Sequence, residues 1–127
     1  ANTFAIKAAE AAYRYGEPWL EALREYLESN RDYALERIRK EIPQIGVYTP
    51  EGTFLLWLDC NAFGLDPQEL FELVSCKARV GLNDGRSFGP GGEGFLRLNI
   101  GCPRKLLEEG VDRLVEVLGP LPVQGNS

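Results

Sequence analysis

The hydrophobic period of this chain changes at Pro43, and that change limits what it can fold into more than any other feature. Before it, Leu20, Leu23, Leu27, Ala34 and Ile38 recur at three- and four-residue spacing, the mark of a helix with one buried stripe. Pro18 stands where a helix can begin without losing a donor, so the spacing predicts one long helix over 18–41. Asn30 falls on the same stripe, where a polar side chain needs a partner or marks a break. Upstream, Thr3 is placed to cap an alanine-rich helix over 4–15 that ends near Gly16. After Pro43 the segments shorten. IGVY and TFLLWLD, separated by Thr49-Pro50-Glu51-Gly52, read as two strands and a turn. Asp66-Pro67-Gln68-Glu69 starts a helix that should end around Ala78, with Asp66 as its cap. ARVGL then reads as a short strand, Asn83-Asp84-Gly85 as a turn, and GFLRLNIG as a further strand. Pro103 opens a last helix with Leu106, Leu107, Val111, Leu114 and Leu118 on its buried stripe, and the Pro/Gly-rich tail from Gly119 is expected to be mobile. This order predicts an α+β domain whose helices cover one face of a small, mainly antiparallel sheet and leave the other face free.

Composition removes several classes of function. The 127 residues contain no histidine, which takes away the commonest general base and metal ligand together with Ser-His-Asp and Cys-His catalysis. A net charge of −5 disfavours nucleic acid and anionic membrane as partners. Cys60, Cys76 and Cys102 are odd in number and form no CxxC pair, so they read as reduced thiols of a cytoplasmic protein and not as a disulfide framework or metal site. No apolar run reaches the ~18 residues of a membrane span, and the opening residues lack the pattern of a signal peptide. The chain begins at Ala1 and holds no Met, which suggests an excised piece, although removal of an initiator Met before alanine looks the same.

Gly89-Pro90-Gly91-Gly92-Glu93-Gly94 matches GxGxxG letter for letter, but the dinucleotide fingerprint needs a helix directly after the glycines, and FLRLNI alternates at period two. A mobile or closely packed loop is the expectation there. In that following strand Leu96, Leu98 and Ile100 share one face, and Phe95, Arg97 and Asn99 the other. An arginine beside an aromatic and an amide suits a carboxylate clamp; an exposed arginine in an ordinary salt bridge is the competing interpretation. Asp59 reads as a strand-terminating acceptor in preference to a base. Lys7, Lys40, Lys77 and Lys105 all fall on helical segments and read as solvated.

A family resemblance runs through nearly the whole chain. Phe4, Ala8-Ala9 to Ala12-Tyr13, Gly16-Glu17-Pro18-Trp19-Leu20, Tyr26-Leu27 and Asn30 resemble the segment joining the large and small domains of cystathionine β-lyase-like pyridoxal-phosphate enzymes, of fold-type I aminotransferase architecture. The resemblance continues through Thr53 to Asp59, Gly85-Arg86-Ser87-Phe88-Gly89, Gly94-Phe95, Arg97 to Arg104 and Arg113-Leu114, with Phe54 where the group commonly has Tyr. It implies that residues 1–17 connect from a large domain, that 18–119 form the small C-terminal domain, and that 120–127 are a flexible tail. It implies that Arg97 binds the substrate α-carboxylate, with Phe88 and Gly89 in a cleft loop and Asn99 in support. It also implies that the Schiff-base lysine and most pyridoxal phosphate ligands lie elsewhere in a homodimeric enzyme, so that this chain alone is inactive. The implied reaction is β-elimination from an amino acid such as cystathionine. Transamination on the same scaffold, or a stand-alone binding or interaction module, are the alternatives.

Overall fold

In the computed structural model, which describes residues 2–125, the helices and the sheet form two layers. Helix α1 spans Thr3–Tyr15 and α2 spans Glu17–Glu41, with Gly16 between them. The cap of α1 is Asn2, one residue before the Thr3 expected from sequence; its side-chain oxygen accepts from Ala5 N at 2.8 Å. Helix α2 runs unbroken through Asn30, because that amide finds partners. Its Nδ2 donates to the carbonyls of Ile100 (2.9 Å) and Cys102 (3.0 Å), and its oxygen accepts from Arg104 Nε at 3.0 Å. The stripe that reads as one helix is therefore one helix, with its single polar member bonded to the chain that enters the last helix.

Strands β1 (Gly46–Val47), β2 (Leu55–Asp59), β3 (Asn83–Asp84) and β4 (Phe95–Asn99) form one antiparallel sheet in the order β1-β2-β4-β3. Helix α3 (Pro67–Glu72) begins at the Asp66 cap, whose carboxylate accepts from Gln68 N, and continues as a wider π turn over Leu73–Lys77. Helix α4 spans Arg104–Leu118 and follows Pro103 as expected. Period two along β2 and β4 sends Leu56, Leu58, Leu96 and Leu98 into the core, where they meet Ala34, Leu35 and Ile38 of α2 and Leu107, Val111, Leu114 and Leu118 of α4. Helices α2 and α4 thus lie on one face of the sheet.

Two expectations need correction. ARVGL forms no strand. Arg79 takes a left-handed backbone conformation (φ 57°), which interrupts an extended run, and the pairing with β4 begins only at Asn83. Asn83-Asp84-Gly85 is accordingly not a free turn: its first two residues are β3, and Gly85 starts a short 3-10 turn, Gly85–Phe88. The tail makes contacts over its described part. Gln124 N donates to Ala62 O at 3.0 Å, Gln44 Nε2 donates to Leu121 O at 2.9 Å, and Leu121 packs against the core. Residues 126–127 lie outside the described residues.

Candidate functional site

The open face of the sheet carries Trp57 and Asp59 from β2, Phe95, Arg97 and Asn99 from β4, and Asn83 from β3. Register sets Trp57 directly across from Arg97 on one side and Asn83 directly across from it on the other. Phe88, at the end of the 3-10 turn, reaches the same place, with the Arg97 Cζ 4.3 Å from the centre of its ring. Trp57 stacks on Phe95 (5.2 Å, 16° between planes) and meets Phe88 edge-on at 5.8 Å. The guanidinium is thus bordered by aromatic rings.

Its hydrogen bonding is one-sided. Nε and Nη2 of Arg97 both donate to the single Asn83 Oδ1, at 3.3 and 3.2 Å. Among the described residues, Nη1 and the outer hydrogen of Nη2, which together form the end-on fork, have no protein acceptor. Among the described residues Arg97 makes no ion pair, although six other arginines do. The ordinary salt-bridge interpretation of Arg97 does not describe this geometry.

The turn that supplies Phe88 is held at both ends. Asp84 caps it by accepting from Arg86 N at 2.9 Å, and the Arg86 guanidinium closes on the same carboxylate while reaching Gln68 Oε1 at 2.8 Å. The Arg86 hydrogen bonds hold the Asp84 carboxyl below the usual carboxylate range. Gly89 ends the turn at φ 112°. A Cβ on Gly85 would stand 2.2 Å from Gly92 O and 2.6 Å from Phe95 O, so the glycines of the GxGxxG stretch press this loop against the start of β4. They lead into a strand, which leaves no helix N-terminus for a pyrophosphate.

Of the residues singled out from sequence, Arg97 and Phe88 come together and Gly89 closes the turn between them and the rest of the loop. Asn99 stands two positions along the same face, where its oxygen accepts from Gly101 N at 2.8 Å; it shapes the exit of β4 and makes no bond to Arg97. Asp59 is an acceptor for Asn61 N and Asn61 Nδ2, at 3.0 and 2.8 Å. Sequence reasoning missed Asn83 and the part Trp57 plays. Asn83 was hidden by a stronger turn signal, since Asn-Asp-Gly reads locally and its pairing with β4 does not.

The open face suits a carboxylate and does not by itself suit pyridoxal phosphate. Its polar groups are one arginine, one aspartate and two amides, while all four lysines of the chain lie on helices or on the π turn. No lysine amine is therefore placed on the sheet face to meet the aldehyde of that cofactor. The thiols add no alternative: burial pushes Cys60 up to about 12, and it also raises Cys102.

No family model matches the chain. Curated relatives do. Cystathionine β-lyase PatB of Bacillus subtilis (strain 168) is 42% identical over 117 residues, and protein MalY of Escherichia coli (strain K12) is 37% identical over 117. Each match takes in 92% of this chain and 30% of the relative, so the chain spans about a third of the length of the curated relatives it matches. Aspartate and aromatic-amino-acid aminotransferases match at 31% and 32% identity. Among solved structures, cystalysin of Treponema denticola, which contains pyridoxal 5'-phosphate, superposes with a TM-score of 0.87 at 30% identity, over 92% of this chain and 30% of that one.

Proposed function

We propose that this chain, a homologue of the cystathionine β-lyases over 92% of its length, is the small C-terminal domain of a pyridoxal-phosphate-dependent C–S β-lyase in which Arg97 binds the substrate α-carboxylate. The observation that carries the reading is the free end-on fork of Arg97, framed by Phe88 and tethered by a neutral amide on an otherwise acidic domain. Such a fork matches the two oxygens of a carboxylate in one plane. The cofactor, held by residues outside this chain, supplies the electron sink for elimination. What Arg97 does is fix the carboxylate, and with it the direction of the substrate's Cα–H bond. Phe88 covers one face of the guanidinium, so the carboxylate approaches along the open edge.

On this reading residues 1–17 connect to a preceding large domain, and residues 18–119 are the small domain. The complete enzyme is a cytoplasmic homodimer acting on an amino acid, and the isolated chain is inactive. From cystathionine, β-elimination breaks the Cβ–S bond and, with one water consumed, yields homocysteine, pyruvate and ammonia. An aminotransferase would use the same clamp, and the aminotransferase matches keep that outcome in the test. The test is product analysis of the complete polypeptide supplied with pyridoxal phosphate, L-cystathionine and 2-oxoglutarate, an α-keto acid that can accept an amino group. Equimolar pyruvate, ammonia and homocysteine are expected; an α-keto acid that retains the sulfur chain, without ammonia release, would reassign it as an aminotransferase.

A further inference from the structure

We propose that Asn83 is a positioning residue for Arg97, and that its neutrality keeps the arginine's charge available to a carboxylate ligand. The inference rests on the proposed role of Arg97. Asn83 sits directly opposite Arg97 in the β3–β4 pair and accepts from Nε and Nη2 with one oxygen, which fixes the guanidinium plane and leaves Nη1 and the outer Nη2 hydrogen, on the edge away from Asn83, without an acceptor among the described residues. An acid at this position would have taken the same two donors and neutralised them. The next residue shows that outcome: Asp84, which alternation sends to the opposite side of β3, accepts from Nε and Nη2 of Arg86 and closes an ion pair. Two adjacent residues of β3 therefore hold two arginines differently. The acid consumes one as a loop fastener, and the amide orients the other while leaving it charged.

Asn83 is exposed, so substitutions there should leave the fold intact. In the complete polypeptide loaded with pyridoxal phosphate, Asn83→Asp preserves the shape of the side chain and adds only charge. It should raise KM for L-cystathionine by about 10- to 100-fold, the range of a charge-assisted hydrogen bond, while kcat stays within about threefold. Asn83→Ala, which frees the guanidinium without neutralising it, should raise KM less. Combined with Arg97→Ala, the Asn83→Asp change should move KM by less than about twofold, since its effect passes through the arginine. A residue of merely structural importance would not show that dependence. Should Arg97→Ala raise KM while Asn83→Asp leaves it at the wild-type value, the inference about Asn83 is wrong and the role of Arg97 survives. Should neither variant change KM, the role of Arg97 itself is wrong.

Discussion

Asn30 and Arg97 show what a polar side chain requires at two depths. Asn30 is fully buried and uses its whole amide: two donations to the carbonyls that lead into α4, and one acceptance from Arg104. Its place on an apolar stripe was legible from spacing, and so was the need for a partner; the partners, some 70 residues away in sequence, were not. Replacing it with Leu keeps the volume close but strands the buried Ile100 carbonyl and takes one partner each from the Cys102 carbonyl, which keeps Tyr26, and from Arg104, which keeps Ser29. Asn30→Leu should therefore lose at least about 2 kcal/mol, read as a lower urea midpoint with an unchanged slope. Arg97, half-buried, is the opposite case, since its best-placed donors are left unused by the protein. Strict alternation in FLRLNI placed it on the open face beside Phe95. Its freedom from ion pairing could be learned only from the geometry of β3.

At the level of elements, what depends on local chemistry was readable and what depends on pairing was not. The Asp66 cap, the Pro18 and Pro103 helix starts and the leucine stripe of α4 all act within a turn or two of themselves, and each stands where the sequence puts it. The ARVGL segment has strand-forming residues, but whether they pair depends on where β4 runs and on the left-handed Arg79. The glycine-rich loop is the clearest instance. Its composition says flexible or close-packed, and the structure gives the second, because Gly85 and Gly92 approach backbone to backbone. Gly85→Ala should push the turn off β4 and carry Phe88 away from Arg97 and Trp57. We expect a loss of about 1–3 kcal/mol together with a reduced near-ultraviolet signal from the Trp57–Phe88 pair, both measurable by circular dichroism during unfolding. An alanine variant with wild-type stability and signal would mean that the loop is not pinned there.

At the scale of the molecule, the surfaces are those of a part. Helix α1 buries none of its residues, and Phe4, Ile6, Tyr13, Tyr15 and Trp19 are all exposed, Tyr13 to 92%. The free sheet face adds Trp57 and Phe88. Large exposed aromatics on the first helix and beside the polar groups of the sheet face fit a domain that packs against more protein. Matches that cover 92% of this chain and only 30% of each relative agree with that picture. On the proposed reading the labour divides, with this domain supplying the carboxylate clamp and the remainder of the polypeptide the chemistry of elimination. The most direct measurement is kcat/KM for L-cystathionine in the complete polypeptide with Arg97→Ala and Arg97→Lys beside wild type. The account predicts a fall of about 100-fold or more for Ala, from loss of a charged bidentate contact, and an intermediate value for Lys, which keeps the charge without the fork. An Ala variant with wild-type kcat/KM would contradict it.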